Sequence, residues 1–427
     1  MTMRQPWRGA AMLLLVAILS ACATTPRPTP PPDGVPVDQP WGSVPAQLSD
    51  SFSDSLVDSL RAKFEQAQAT ADAGKIPYRA LTLSGGGSRG AYGAGVLSGW
   101  TERGDRPQFD VVTGISTGAL MATHAFLGSD FDAELALYKN LTNDDVFEER
   151  GTIATLRSTA ALDTAPLREK LVSVITEETL DLVAAEHRSG RRLFIGTTNL
   201  DANLFTIWDM GVIAESDRPD RFERYIDVIM ASAAFPVAFP PVYIEVQGEA
   251  GAYTQMHADG GIRETAFFFD FIEELERAAD AAGLSITDFK QELYLLNNGP
   301  IATLRSQTYR PTEGTLWAIA DATITSLLAK VTQGSVYRLW VLAMVDGADF
   351  HLSFVPPDYE LTTGSLTFDP DEQTALYELG YRQALDGSAW ATQLAPTSTE
   401  ELLQLIAEPT SRFDTEEPPL WLRRGEQ

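Results

Sequence analysis

The sequence predicts an α/β fold in which a central, mainly parallel sheet is flanked by helices. Two successive strand-turn-helix units, at residues 79–102 and 109–127, carry this prediction. In each unit a short apolar strand enters a glycine-rich turn and continues into a helix, a pattern typical of parallel sheets with helices on their faces. Hydrophobic residues make up 44% of the 427 positions, so the chain is able to bury a large core. We therefore expect one sizeable domain with appendages.

The balance of charges limits the partners of the chain. Lys and Arg number 32 against 59 Asp and Glu, which gives a formal net charge of −27. A chain this acidic repels anionic partners at long range, which argues against nucleic acid binding. It also argues against docking on anionic lipid through a basic patch. Any membrane attachment is therefore expected to come from an apolar group.

The N-terminus is typical of a secretory signal. Arg4 and Arg8 precede an apolar run at residues 10–19, which is too short to span a bilayer. The alternative interpretation is an N-terminal anchor helix. The run ends in Leu19-Ser20-Ala21-Cys22, which resembles the lipobox of a bacterial lipoprotein. In that family a diacylglyceryl group is attached to the cysteine and the chain is cut just before it.

The position of the cysteine supports a lipid anchor. Cys22 is the only cysteine of the sequence, so it has no intramolecular disulfide to form. Ala23 follows it, which resembles lipoproteins sent on to the outer membrane. Several acyl chains hold a protein at a membrane without a spanning segment. The sequence thus predicts a bacterial cell-envelope protein that is lipid-anchored at Cys22, in the outer membrane.

Changes in composition divide the chain into five segments. Proline is dense before Pro45, which predicts an extended tether. Phe52, Leu56, Leu60 and Phe64 follow at helical spacing and predict an amphipathic helix. The predicted segments are a signal peptide at 1–21, the tether at 22–48, an N-terminal helical segment at 49–78, the α/β domain at 79–313 and a C-terminal helical extension packed on it at 314–427.

Periodicity predicts further elements beyond the two opening units. Strands are expected at residues 192–198, 204–208 and 292–297, and a late strand begins near His351. Helices are expected at residues 166–187, 221–231, 267–282, 316–344 and 371–385.

Gly114-Ile115-Ser116-Thr117-Gly118 has the G-x-S-x-G form of a nucleophile elbow, a sharp turn that presents a serine between a strand and a helix. Without side chains at Gly114 and Gly118, the strand and the helix can approach closely. The serine hydroxyl then projects into a cleft at the helix N-terminus. The pentapeptide alone is a weak signal, but an apolar strand before it and an apolar helix after it strengthen the prediction.

A glycine-rich loop, Gly85-Gly86-Gly87-Ser88-Arg89-Gly90, also lies between a predicted strand and helix. Its backbone N–H groups can point at an anion. One interpretation is phosphate binding, but a Walker-type Gly-Lys-Ser/Thr ending is missing, and so is an acid after the next strand. A plain tight turn is another. The third is an oxyanion hole, whose N–H groups stabilise the negative oxygen of a tetrahedral intermediate.

The serine needs a base, and the four histidines are poor candidates. His124 lies on the helix after Ser116 and is expected to face away from it, while His187, His257 and His351 have no distinctive local signature. Asp259-Gly260-Gly261 offers another answer. An aspartate on a tight turn can approach another loop and accept the serine proton.

The ordered motifs closely resemble the patatin-like phospholipase family over residues 80–261. A fourth segment joins them, Ala231-Ser232-Ala233-Ala234-Phe235-Pro236 with Phe239-Pro240-Pro241. The resemblance implies a three-layer α/β fold and a lipid ester substrate, phospholipid or lysophospholipid. It also implies a Ser-Asp dyad of Ser116 and Asp259, an oxyanion hole around Gly86, Gly87 and Ser88, and a role for Arg89 in fixing that loop. No metal-ligand cluster is visible, so metal- and cofactor-independent chemistry is expected.

The resemblance is not complete, and two other functions stay open. Many relatives continue from the two glycines to asparagine and proline, whereas Ile262-Arg263-Glu264 follows here, which affects the neighbouring pocket. One alternative is a Ser-His-Asp esterase that uses His351, since α/β-hydrolases order their triad as Ser, Asp, His. Another is a lipid-binding lipoprotein scaffold without turnover, because a fold does not guarantee a function.

Overall fold

The computed structural model describes residues 27–32, 37–38, 43–45, 50–70, 75–151, 158–248, 251–268, 277, 279–301 and 311–392. The predicted signal peptide and Cys22 lie outside the described residues. Within them, the structure has no helix that is both long enough and apolar enough to cross a membrane.

The described strands form one large mixed sheet and one small one. The strands are β1 Val37–Asp38, β2 Ser43–Pro45, β3 Ile76–Leu83, β4 Val111–Gly114, β5 Glu148–Glu149, β6 Leu162–Asp163, β7 Arg192–Asn199, β8 Leu204–Asp209, β9 Val242–Gly248, β10 Gly251–Asp259, β11 Phe289–Asn297 and β12 Asp349–Phe354. β5 and β6 pair with each other alone.

Helices cover both faces of the large sheet. The described α-helices are α1 Asp50–Thr70, α2 Gly90–Arg103, α3 Thr117–Leu127, α4 Asp132–Leu135, α5 Asn143–Val146, α6 Ala165–Val174, α7 Glu177–Arg188, α8 Met210–Glu215, α9 Arg221–Ser232, α10 Leu316–Asp346 and α11 Pro370–Asp386.

Five parallel strands form the centre of the sheet, in the order β7-β4-β3-β11-β12. β10 and β8 both pair antiparallel with β7. The order continues through β10 to β9 and β1, while β2 adds to β8. This mainly parallel sheet between helices confirms the predicted fold class.

The core is divided by the sheet into two clusters. Neighbouring strand residues belong to opposite clusters: Leu81, Val112 and Ile195 pack with α2, α3 and α9, whereas Ala80, Val111 and Phe194 pack with α1 and the second half of α10. Because successive strand side chains point to opposite faces, the two clusters show that the central strands are buried on both sides. The domain therefore has three layers.

Most of the predicted strands and helices are present, with two differences. The helix predicted at 166–187 is two helices, α6 and α7, because Thr176 takes an extended conformation and its hydroxyl caps α7 by accepting the Thr179 N–H. The helix predicted at 267–282 lies partly outside the described residues. Phe267 and Phe268 are not helical, whereas residues 279–282 are.

The predicted N-terminal helix is present as α1 and packs on the sheet. Leu56 and Leu60 on α1 are fully buried, and Lys63 forms an ion pair of 2.7 Å with Asp110. The described pieces of the predicted tether are extended, but they also contact the domain. β1 pairs with β9, and β2 pairs with β8. These pieces belong to the sheet and do not hang free.

The described part of the predicted C-terminal extension, residues 314–392, packs on the domain and also adds a strand to its sheet. β12 adds a parallel strand beside β11, and α11 packs closely against α2. A Cβ on Gly95 of α2 would lie 2.1 Å from the carbonyl oxygen of Tyr377, and one on Gly99 would lie 2.2 Å from that of Tyr381. The glycines of α2 thus allow backbone contact with α11, which brings residues 357–368 to the site described next.

Candidate active site

Two strand ends meet along one edge of β7. β4 is parallel to β7 and pairs Gly114 with Ile195 where it ends. β10 is antiparallel to β7 and pairs Asp259 with Thr197 where it ends. β8 occupies the other edge of β7. β4 and β10 therefore share one edge and point toward each other. The last residue that each pairs with on β7 is about 7 Å from the other along that strand. The turns that leave these strands therefore enter the same space.

Ser116 lies on a strained turn between β4 and α3. Its φ is 55° and its ψ is −124°, a conformation that costs on the order of 1–3 kcal/mol for a residue with a side chain. A Cβ on Gly118 would lie 2.2 Å from the Leu83 carbonyl oxygen, and one on Gly114 would lie 2.7 Å from the Gly118 carbonyl oxygen. The close approach of strand and helix therefore requires both glycines of the predicted elbow.

Asp259 ends β10 with its carboxylate against Ser116. The side chain is buried, and it accepts a hydrogen bond from the Gly261 N–H at 2.7 Å. Burial raises the pKa of Asp259 to about 6, and the Ser116 hydroxyl and the Gly261 N–H beside the carboxylate limit the rise. Gly260 is required by close packing, since a Cβ there would lie 2.5 Å from the Gly196 carbonyl oxygen. The structure thus brings together the two residues that the sequence predicted.

The segment after α9 joins the serine turn to the end of β10. The buried Ser232 hydroxyl accepts the Ser116 backbone N–H at 3.0 Å and donates to the Gly196 carbonyl at 2.6 Å. Two residues on, the Ala234 carbonyl accepts the Asp259 N–H at 3.0 Å. Sequence analysis noted this segment but gave Ser232 no role. A single hydroxyl among alanines at the end of an apolar helix was the available signal.

The glycine-rich loop offers fewer N–H donors than its length suggested. Four of the six residues already donate their backbone N–H to carbonyl oxygens: Gly85 to Thr265, Ser88 to Ser365, Arg89 to Gly86, and Gly90 to Gly87 and Ser88. Within the part of the chain that the structure describes, the N–H groups of Gly86 and Gly87 make no such bond. Of the six residues predicted for the oxyanion hole, only Gly86 and Gly87 therefore remain as candidate N–H donors. Ser88 is no longer a candidate, because its N–H is already bonded.

Residues far along the chain fix this loop from two sides. A Cβ on Gly86 would lie 2.2 Å from the Asn298 carbonyl oxygen, and one on Gly87, whose φ is 60°, would lie 2.0 Å from that of Ser365. Asn298 also donates its side-chain amide to the Ser84 carbonyl at 2.7 Å. Neither Asn298 nor Ser365 was predicted, because no local motif marks a residue whose role depends on a contact with a distant loop.

None of the four histidines contacts the serine. His351 stacks on Tyr294 with ring centroids 4.4 Å apart, and the buried His257 places Nδ1 3.0 Å from Thr197 Oγ1. His187 places Nδ1 3.6 Å from Asp209. The expectation that His124 faces away was wrong, because it lines the same cavity as Ser116, eight residues or about 12 Å along α3. Burial lowers the pKa of His124, so the imidazole is neutral at neutral pH.

Ser116 and Asp259 open into a cavity of about 760 Å³, a size typical of small-ligand sites. The glycine-rich loop and Arg89 form one edge. Side chains of α3 and α6 line one part of the cavity, here called its arm, together with His124, Tyr138 and Lys170. The aliphatic residues of this arm are Leu120, Leu141, Val146, Leu167, Leu171 and Val174. The C-terminal region contributes residues of α10 and of the loop at 357–368, so it completes the cavity.

A family model matches the segment of the chain that contains this site. Residues 81–272 match the model of the family described as Patatin-like phospholipase. This segment runs from β3 through both Ser116 and Asp259. Residues 81–272, about 45% of the chain, are therefore similar to a patatin-like phospholipase domain.

Two particular proteins resemble the chain over longer or shorter stretches. A cGAMP-activated phospholipase of Pseudomonas aeruginosa (strain BWHPSA011 / Pa011) is 30% identical over 206 residues, which are 43% of this chain and 53% of that protein. The chain thus spans about half the length of this curated relative. The crystal structure of VipD from Legionella pneumophila matches with a TM-score of 0.33 and 14% identity, over 74% of this chain and 68% of that one.

Replacement of Ser232 by alanine tests whether its hydroxyl positions the serine turn. We expect Ser232→Ala to lower kcat about 10- to 100-fold with little change in KM, because a small displacement of the nucleophile is costly while the cavity stays intact. Steady-state ester hydrolysis measures the two constants. Urea denaturation should also show a loss of about 1–3 kcal/mol, because two buried backbone groups lose their partner.

Thr123→Ala is the matched control. It removes another buried hydroxyl between α3 and α9, which lies 2.8 Å from the Tyr225 hydroxyl. A similar loss of stability with an unchanged kcat is expected. Equal kcat in both variants would show that Ser232 stabilises the fold without positioning Ser116.

Proposed function

We propose that this chain hydrolyses carboxylic esters of lipids through an acyl-enzyme intermediate on Ser116, with Asp259 as the base. One observation carries the proposal: the Ser116 hydroxyl lies beside a buried carboxylate at the wall of a large, mostly apolar cavity. A carboxylate with its pKa raised to about 6 is ionised at neutral pH and yet basic enough to assist a hydroxyl nucleophile. A Ser-Asp dyad of this kind needs no histidine.

The geometry supports a two-step reaction. Ser116 Oγ attacks the ester carbonyl carbon as Asp259 accepts its proton, and the carbonyl oxygen becomes an oxyanion beside the N–H groups of Gly86 and Gly87. The intermediate collapses, the C–O bond to the alcohol breaks, and Asp259 returns the proton to the leaving oxygen. Water then attacks the acyl-enzyme with Asp259 as base again. The proton that Asp259 took from the water passes to Ser116 Oγ as the fatty acid leaves.

The cavity supports a lipid as the substrate. The arm between α3 and α6 is lined mainly by aliphatic side chains, and one of them, Leu120, lies one turn after Ser116. We place the acyl chain in this arm, because burial of methylene groups contributes about 0.8 kcal/mol each. The alcohol part then faces Arg89 and the loop at 357–368. Phospholipids and lysophospholipids fit this arrangement.

The alternative triad has less support. His351 is on β12, where its ring stacks on Tyr294, and it does not line the cavity of Ser116. The other alternative, a scaffold without turnover, predicts no hydrolysis by a folded protein, and the variants below address it.

We also propose that Cys22 carries a lipid anchor in the outer membrane, on the evidence of residues 1–22. Arg27 supports a position close to the lipid. It binds both oxygens of Asp201, at 2.7 and 2.8 Å, just beyond the carboxyl end of β7. Five residues span at most about 17 Å, so the anchor would keep this end of the sheet near the membrane.

Substitution of the dyad tests the proposed function. Purified Ser116→Ala and Asp259→Asn are expected to lose ester hydrolysis about 1,000-fold or more, because nucleophile and base act as one unit. Asparagine keeps the shape of the carboxylate and an acceptor for the Gly261 N–H. Release of fatty acid from phosphatidylcholine and of nitrophenol from p-nitrophenyl butyrate provides the measurement.

His351→Ala is the control for the triad, and it should retain activity. Loss of activity in His351→Ala, with retention in Asp259→Asn, would replace the dyad by the triad. A folded wild type that hydrolyses neither ester would favour the scaffold.

The pH dependence of kcat/KM provides an independent test. Asp259 must be ionised to accept a proton, so activity is lost as the pH falls through its pKa of about 6. We expect kcat/KM to drop about tenfold per pH unit below this value and to be level from about pH 7 to 8. A profile with its midpoint near 4, the ordinary range of an exposed carboxyl, would contradict a buried base.

A further inference from the structure

The two halves of α10 have different surroundings. In the second half, Val336, Leu339 and Trp340 are buried in the core. The middle of the helix is held at Glu264, which accepts a hydrogen bond of 3.0 Å from Ser335 and pairs with Arg338. From there the first half extends past the turn that follows Asp259, where a Cβ on Gly261 would lie 3.7 Å from Leu328 Cδ2. The first half of α10 is therefore a projecting wall of the cavity.

The first half of α10 has one face toward the cavity and one toward solvent. Thr325, Leu328, Ala329 and Thr332 line the cavity and share one side of the helix. At 100° per residue, the opposite side is formed by Ile319, Thr323, Ser326, Leu327 and Lys330. All five are exposed, and Leu327 and Ile319 retain 62% and 52% of their accessible surface.

The outward face is unusual for this chain. Between Leu316 and Gln333 the sequence has two charged residues, Asp321 and Lys330, although the whole chain has a net charge of −27. A surface helix ordinarily carries charged residues on its solvent side. Exposed apolar side chains beside a cavity are instead typical of a surface that contacts a partner.

We propose that the outward face of residues 319–330 docks on the surface of a lipid bilayer and seats the mouth of the cavity against it. The inference rests on the proposed function. Ile319 and Leu327 enter the interface, while Lys330 extends its ammonium group toward the head groups. The inner face of the same turns lines the cavity, so the docking surface is continuous with the path of the substrate. A lipid can then move from the bilayer to Ser116 along Leu328 without crossing water.

Charge and attachment favour lipid over a protein partner. A zwitterionic bilayer does not repel an acidic chain, and the outward face offers two apolar side chains, two hydroxyl groups and one positive charge, with no acidic residue. The contact of Arg27 with Asp201 also places the start of the described chain at the carboxyl end of β7, which is the end of the sheet where Ser116 lies. The proposed anchor and the docking helix therefore act at the same end of the sheet.

The kinetic test compares two substrates in the full chain. Ile319→Glu/Leu327→Glu is expected to hydrolyse phosphatidylcholine vesicles about tenfold more slowly than wild type, or slower still, since burial of even one such side chain contributes at least about tenfold in binding. Hydrolysis of monomeric p-nitrophenyl butyrate should stay unchanged, because neither side chain lines the cavity. Val345→Glu is the matched control, since Val345 is 75% exposed at the other end of the same helix, and it should leave both rates unchanged.

Three results would overturn the inference. One is an unchanged rate on vesicles in the double variant. Another is an equal loss on both substrates, which would mean that the helix shapes the cavity. The third is a lower molecular mass of the double variant than of the wild type in solution. That result would identify a second copy of the chain as the occupant of this face.

A measurement without turnover separates this inference from the proposed function. Cys22 is the only cysteine, so Cys22→Ser allows one thiol to be introduced and labelled with a polarity-sensitive fluorophore. With phosphatidylcholine vesicles, the label at Leu327→Cys should shift to shorter wavelength and be quenched by brominated lipid, whereas the label at Val345→Cys should do neither. Identical behaviour of the two labels would refute docking even in an active enzyme. The expected difference in a chain that hydrolyses neither ester would uphold docking and reject the proposed function.

Discussion

The site depends on one constraint of the sheet: β4 and β10 end against each other on the same edge of β7. β4 arrives parallel and β10 arrives antiparallel, and Gly196 lies between their last pairs. The side chains that follow the ends of β4 and β10 therefore lie in the same space. Ser116 and Asp259 meet there although 142 residues separate them in sequence. The proximity of the two side chains is thus a consequence of strand order.

Contacts from neighbouring segments stabilise two residues whose backbone conformation or burial is unfavourable. Ser116 has a positive φ, and Asp259 gives up its hydration, so each is unfavourable by itself. Ser232 and Ala234 bind the backbone at both residues. On the other side, Asn298 and Ser365 pack against the glycine-rich loop. Hydrogen bonds from the segment after α9 therefore support the strained serine turn and the end of β10, while Asn298 and Ser365 fix the loop beside them.

Local patterns were sufficient to predict the centre of the fold and to select Ser116 and Asp259, which the structure places at one site. A strand, a glycine-rich turn and a helix each leave a signal within about ten residues, so the units around Gly85 and Ser116 were recognisable. The hairpin of β9 and β10 was not recognisable from the sequence, because β10 carries polar residues and is defined by its pairing with other strands. The true orientation of His124 and the donors left in the glycine-rich loop also depended on distant contacts. Ser365 lies 277 positions after Ser88, whose N–H it engages.

The most direct test of the central claim is the identity of the residue that forms a covalent bond with an ester-like inhibitor. Folded wild-type protein would be treated with an alkyl fluorophosphonate, digested and sequenced by mass spectrometry. The account predicts one phosphonylated residue, Ser116, with labelling strongly slowed in Asp259→Asn and abolished when the protein is unfolded. Labelling of a different serine, or unmodified Ser116 in the folded protein, would contradict it.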